Sequence, residues 1–371
     1  MRQPHSLLCT VMYVIISFMK IHGNTIRVIA IVVGIVALLG GAFAVATYVE
    51  SKLEAKPVGA GDALSRTEIN VANEDRQKVL DDSNAVPTIK YNGHNYAYNE
   101  NLEVLLIMGV DDREIIDYSE RGGDARNDAC VDLILVAVFD KEKKTYNLLQ
   151  INRDTMVDMM AYDFFGTYRG LVKGQISLSH TYRSGLEDSC EDTRFAVSRF
   201  LYDVEISNYF CLTMDAIPII NDSVGGVTVT IEDDFSNIDP SLVMGETITL
   251  QGSQAESYVR GRRAMGNDPT NINRMARQRN YMTTLLPVLG KKTASSNSFA
   301  LDLFDKLSPY MVTDCSVDQL TSYIQQFSGY TLEDIVTPDG KSVDGANFKE
   351  FYVNESSLKS IVIDLFYVQQ D

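Results

Sequence analysis

LILVAVFDKEKKTYNLLQI, Leu133 to Ile151, decides the fold. Its first seven residues form an apolar run rich in residues that favour strands. The five that follow, Asp140 to Lys144, are charged and must face water, and Thr145 to Ile151 turns apolar again. A short polar connection between two such runs predicts an antiparallel hairpin. Upstream, LEVLLIMGV (Leu102 to Val110) predicts a further buried strand, ending near Gly109.

Downstream, the period lengthens. Phe195, Val197, Phe200 and Leu201 predict a helix over 192–202, and 208–213 reads as a short strand. Residues 214–223 suit a helix, closed by Gly225 and Gly226 ahead of a strand in VTVTI. Ser253 to Arg260 and Asn273 to Leu289 read as helices, the second with Met275, Met282, Leu285 and Leu286 on or near one face. Interleaved strands and helices with one hairpin predict an α/β domain with a mixed sheet, over 96–290. Residues 291–371 carry further helix-like runs, either continuing that domain or forming a C-terminal extension or subdomain.

The N-terminal part has another character. VIAIVVGIVALLGGAFAVATYV, Val28 to Val49, is uncharged and long enough to cross a hydrocarbon core of roughly 30 Å. Arg2, Lys20 and Arg27 precede it without an acid, which places 1–27 in the cytoplasm and everything after Glu50 outside. A cleaved signal peptide is the competing reading. Met19, ahead of KIHGNTIR, is a second possible start. Residues 50–95 are small, polar and charged, and read as a tether. The formal net charge of −17 over 371 residues argues against a nucleic-acid partner, which needs a basic footprint. None of the five cysteines pair as CxxC, so a zinc knuckle or redox dithiol motif is not written in their spacing. His180 reads as a hydrogen-bonded loop residue rather than a base.

Polar residues cluster where strands end. Asp111, Asp112 and Arg113 follow the first strand, Asp132 precedes the second, and Arg153 and Asp154 follow the third. Antiparallel pairing brings Asp132 to Arg153, and to Asp111 if the first and third strands run the same way. Two carboxylates at one point repel unless a cation or proton intervenes, and Mg²⁺ shared with substrate oxygens is one answer. An ordinary ion pair of Asp132 with Arg153 is the other. Arg260, Arg262 and Arg263 close one helix, and Arg274 and Arg277 share a face of the next. No acid lies between Arg260 and Met265, so the guanidinium groups are expected to await a phosphorylated anion.

The series VLLIMGVDDR, VDLILVAVFD, LLQINRDT, SHTYRSG, VGGVTVTI, QAESYVRGRR and INRMARQR, in this order, resembles the LytR–CpsA–Psr family from about Leu102 to Leu289. The resemblance implies a three-layer α/β/α domain outside the membrane, behind the N-terminal transmembrane helix. It implies transfer of a glycopolymer, such as wall teichoic acid or capsular polysaccharide, from polyprenyl pyrophosphate to the 6-hydroxyl of peptidoglycan N-acetylmuramic acid, with Mg²⁺ as cofactor. Asp111 and Asp132 match the family's metal-binding acids. Asp111, Arg153 and Asp154 match its catalytic groups, with Asp111 or Asp154 as the proton acceptor. Arg113, Arg260, Arg262, Arg274, Arg277 and Gln278 match its phosphate-binding residues. The sequence departs at Cys130, where the family has an arginine that Arg126 would replace, at Asn152 for proline, and at Asn273 for glycine. Rival readings are a polyprenyl pyrophosphate hydrolase and a non-catalytic envelope polymer or lipid-binding protein.

Overall fold

The computed structural model describes residues 88–118, 127, 129–163, 165–261, 271–295, 297–327, 329–346 and 348–370. The apolar run Val28 to Val49 and most of the expected tether lie outside these residues. Among the described residues, no helix is long and apolar enough to cross a membrane.

A six-stranded sheet forms the centre. Its strands in chain order are β1 (Leu102–Val110), β2 (Val131–Asp140), β3 (Thr145–Ile151), β4 (Asn208–Leu212), β5 (Met311–Thr313) and β6 (Thr331–Val336). Their spatial order is β5-β4-β1-β2-β3-β6. β2 is antiparallel to both β1 and β3, whereas β4 and β6 join parallel to β1 and β3, so the sheet is mixed as expected. Four strands therefore finish at one edge of the sheet, and β2 and β5 begin there.

The strands are apolar on both faces because both are covered. On one face, Leu105, Ile107, Leu135, Phe139 and Phe210 pack against five helices. These are α2 (Ala216–Ser223), α3 (Ser253–Arg260), α4 (Ile272–Ser295), α5 (Asn297–Leu307) and α6 (Val317–Phe327). On the other face, Leu106, Met108, Val136 and Val138 meet α1 (Glu187–Phe200) and α7 (Glu355–Phe366), with a 3₁₀ turn at Ile176–His180. Phe139 anchors the first core, with its ring stacked 4.6 Å from that of Phe327 and 5.1 Å from that of Tyr146. Phe139→Ala is expected to cost about 3–5 kcal/mol by leaving a cavity, a loss that a denaturant titration would measure.

The sheet decides between the two readings of 291–371, and one expected boundary is corrected. Residues 291–371 are not a separate subdomain, since β5 and β6 complete the central sheet and α7 buries Leu358, Val362, Ile363 and Phe366 in the second core. The expected tether ends earlier than residue 95. Thr88–Tyr91 and His94–Tyr98 pair as strands, and the second of them also pairs with Tyr367–Gln369 near the chain's end.

Candidate active site at the strand ends

One residue breaks the β1–β2 ladder. Gly109 pairs with Leu133 and Val110 with Val131, which leaves Asp132 as the extra, unpaired residue of a bulge. Bulges re-aim side chains, and this one turns Asp132 into a cavity at the sheet's edge. The residue thus lies inside β2, one register step later than its expected place ahead of the strand. Gly109 packs closely beside the bulge, since a Cβ there would stand 3.2 Å from the Leu133 Cβ and Leu133 would have to shift to admit it.

Asp132 is flanked by two arginines. Its Oδ2 accepts from Arg274 Nη1 at 2.8 Å, and its Oδ1 forms an ion pair with Arg153 Nη1. Arg274 is almost fully buried, and Asn271 Oδ1 fixes it by accepting from its Nε at 2.7 Å. Asn152 Oδ1 accepts from Asn271 Nδ2 at 3.1 Å, so Asn152 joins this network.

A second chain of charges completes the mouth. Asp111 Oδ1 accepts from Arg260 Nη2 at 2.7 Å, and Arg260 Nη1 donates to Glu256 at 2.8 Å. Glu256 in turn accepts from Arg113 at 2.9 Å, and Arg113 donates to Asp215 at 2.8 Å. Glu256, and then Asp215, hold the Arg113 guanidinium above its ordinary pKa range. The structure corrects the expectation of unanswered arginines after α3. Arg260 is met by Glu256, four residues back on the same helix, and by Asp111, 149 residues away.

Other expected ligands have different places. Arg277 does not reach the mouth. It donates to Asp233 at 2.5 Å and to the Tyr258 carbonyl at 3.1 Å, its Nη2 faces the Gly261 carbonyl, and its guanidinium lies over the Phe235 ring. It therefore ties α4 to the end of α3 and, unlike Arg274, is not among the residues that line the cavity. Asp154 is buried, with its Oδ1 accepting from Gln175 Nε2 at 3.1 Å, so it does not face the cavity as a base would. Gln278 does line the cavity, and its Oε1 accepts from Gln150 Nε2 at 3.0 Å. Arg126 and Arg262 lie outside the described residues. Glu256, Asp215 and Asp233 were not foreseen. Of these, only Glu256 had a sequence signal, its helical i, i+4 spacing to Arg260.

Arg277→Met is expected to cost roughly 3 kcal/mol by stranding Asp233 and two carbonyls. Headgroup binding should weaken less than in Arg260→Ala, which thermal melts and pyrophosphate titrations together would establish.

Behind the mouth lies a cavity of about 200 Å³, walled by Ile107, Leu135, Leu148 and Phe210 of the sheet and by α2 and α4. Along α4 the lining runs Arg274, Gln278, Tyr281, Met282, Leu285, Leu286 and Leu289, a single helical stripe. At 1.5 Å per residue it spans about 22 Å, charged at its start and wholly apolar at its far end. A ligand matching this gradient has an anionic head and a long hydrocarbon tail.

A model of the LytR_cpsA_psr family matches residues 64–362, well beyond the central motifs and through the strands that complete the sheet. The polyisoprenyl-teichoic acid–peptidoglycan teichoic acid transferase TagV of Bacillus subtilis is 27% identical over 63% of this chain. The chain spans 55% of that protein's length. The similarly named TagU of Bacillus licheniformis is 27% identical over 70% of this chain and 76% of its own. Among solved structures, B. subtilis TagV superposes with a TM-score of 0.52 over 72% of this chain and 96% of its own, at 22% identity. TagT bound to LI-WTA gives 0.52 over 72% and 90%, at 19% identity. At these identities the structural likeness establishes the fold.

Proposed function

Because this chain belongs to the LytR–CpsA–Psr family, we propose that it transfers a glycopolymer from a polyprenyl pyrophosphate carrier to the 6-hydroxyl of N-acetylmuramic acid in peptidoglycan. Its curated relatives are named as transferases of teichoic acid from polyisoprenyl to peptidoglycan. The observation that carries the reading is the cavity itself, with guanidinium groups at the mouth and an apolar stripe behind them. The prenyl chain would lie along α4, stabilised in proportion to the apolar area it loses to water. The pyrophosphate would then rest against Arg153, Arg260 and Arg274, with Arg113 at the outer edge.

The charge pairing bears on the cation. Among the described residues around the mouth, Arg113, Arg153, Arg260 and Arg274 are already paired with Asp111, Asp132, Asp215 and Glu256. A pyrophosphate competing with these carboxylates for the guanidinium groups would meet their repulsion, which a cation would lessen. Asp132 Oδ1 meets Arg153, which would have to turn toward the pyrophosphate to release it, and Asp111 is two-fifths exposed. Mg²⁺ binds through one or two carboxylates plus phosphate oxygens, and this donor set fits it. Asp111 and Asp132 would hold it, and when bound it would neutralise charge on the pyrophosphate.

In the transfer, the sugar oxygen attacks the polymer-side phosphorus, and the bond to polyprenyl phosphate breaks. Polyprenyl phosphate leaves as a stable anion. Asp111 would take the hydroxyl proton, a role that competes with holding Mg²⁺, and the arginines would stabilise charge on the equatorial oxygens. The run Val28 to Val49 would anchor the enzyme in the cell membrane, with the domain on the outer side facing peptidoglycan.

The test is a reaction with polyprenyl-pyrophosphate-linked polymer, with and without peptidoglycan acceptor. Polymer joined to peptidoglycan, formed only when acceptor is present, is the expected result. Polyprenyl phosphate released without acceptor would mark a hydrolase, and no release in either case a binding protein. Either would overturn the proposal.

A further inference from the structure

On the sheet face opposite the lipid-shaped cavity, three soft or borderline ligand groups meet in the dry core. His180 ends the 3₁₀ turn, Cys190 lies on α1 and Cys211 on β4. Each is at most 3% exposed. Their ligand atoms all lie within 4.8 Å of one another. His180 Nε2 stands 3.7 Å from Cys190 Sγ and 3.9 Å from Cys211 Sγ, and both sulfurs are free thiols.

A hydrogen bond fixes the imidazole. His180 Nδ1 is 3.1 Å from the Ala129 carbonyl, which can only accept, so Nδ1 carries a proton and, in the neutral ring, Nε2 offers its lone pair toward the sulfurs. This is the arrangement by which an outer carbonyl orients a metal-binding histidine. The distances agree with a shared ion. With metal–sulfur bonds of ~2.3 Å and metal–nitrogen bonds of ~2.0–2.1 Å, nitrogen and sulfur ligands stand about 3.6–3.8 Å apart in tetrahedral or trigonal geometry.

We propose that His180, Cys190 and Cys211 form a binding site for one thiophilic d¹⁰ cation, Zn²⁺ or Cu⁺, distinct from the Mg²⁺ chemistry of the mouth. Two thiolates and one imidazole select such ions over Mg²⁺ or Ca²⁺, which require oxygen. Binding releases the two thiol protons to solvent and involves no change of oxidation state. The ion joins α1, the 3₁₀ turn and β4, three elements from separate parts of the chain.

Its position gives it a consequence for the active site. The His180 ring grips Ala129, and the next carbonyl, that of Cys130, accepts from the Asp111 amide at 2.8 Å. Asn127 Nδ2 reinforces the same corner by donating to the His180 carbonyl at 2.7 Å. Two residues beyond Cys130 stands Asp132. The cation therefore braces, from behind, the chain segment that presents both acids.

The full chain, purified under reducing anaerobic conditions and stripped with chelator, should take up one equivalent of Zn²⁺ or Cu⁺ that survives desalting. Its Tm should rise by a few degrees. Bound Zn²⁺ should protect Cys190 and Cys211 from alkylation while Cys315 reacts at an unchanged rate. Uptake should be lost in Cys190→Ser and Cys211→Ser, and kept in Cys315→Ser. Co²⁺ offers a second reading if a serine variant folds poorly, since the intact chain should show a thiolate-to-cobalt charge-transfer band. No uptake by the reduced protein would overturn the site. So would uptake that persists in both serine variants, or a Cys190–Cys211 disulfide whose reduction restores no binding. All these readouts are independent of transferase activity, so failure of the proposed reaction would leave them unaffected.

Discussion

Arg260→Ala is expected to lower polymer transfer by about 10²–10³-fold, the usual cost of removing one preorganised donor from a developing anion. Stability should change little, because the Arg260 side chain is one-third exposed and its pairs with Asp111 and Glu256 are partly solvated. Before substrate arrives, Arg260 bridges these two acids. With substrate present it would have to share its N–H groups with phosphate oxygens, and Asp111 would gain freedom to accept the sugar hydroxyl's proton. The loss should therefore fall more on kcat than on KM, since the bond to phosphate strengthens as charge builds on the oxygens. Arg260→Lys should recover only part of the rate, because one ammonium cannot reproduce a two-pronged grip. An unchanged rate in Arg260→Ala would remove this arginine from the mechanism.

Why Arg260 could be singled out from sequence, and its partners could not, follows from the range of each signal. The strands β1, β2 and β3 are legible because apolar runs and a charged turn are local. Their connectivity then forces the end of β1, the start of β2 and the end of β3 to one edge. That is why Asp111, Asp132 and Arg153 could be brought together without coordinates. The bulge at Asp132 is not local in the same sense. It depends on how Gly109 packs against Leu133 on a neighbouring strand, and period-two patterning carries no mark of a single extra residue. Helical spacing correctly gave Arg274 and Arg277 neighbouring positions on α4, but spacing says nothing about what each meets. One reaches Asp132, and the other is held by Asp233 and the end of α3. β5 and β6 escaped notice for a related reason. β5 has three residues and β6 a register shift, and each is a strand chiefly because the sheet has an edge to pair with.

Asp132→Ala should have the largest effect on stability of any change at the mouth, roughly 3 kcal/mol or more. Asp132 is the carboxylate that Arg153 and Arg274 share, and Arg274 has only 4% of its side chain exposed. Without it, a buried guanidinium loses a carboxylate partner while a second positive group remains beside it. Arg153 retains Asp154, at 3.6 Å, and Arg274 retains its hydrogen bond to the neutral Asn271. Asp132→Asn should be milder, because the amide oxygen still accepts one N–H although the charge is gone. These variants also separate a structural acid from a site built for an anion. If the two arginines face the pyrophosphate position, inorganic pyrophosphate should raise the Tm of Asp132→Ala more than that of the parent, by standing in for the missing carboxylate. Transfer should not recover with it, since one of the two acids proposed to hold Mg²⁺ is absent. Equal Tm shifts in variant and parent would mean that Asp132 neutralises these arginines for the fold alone, with the headgroup bound elsewhere.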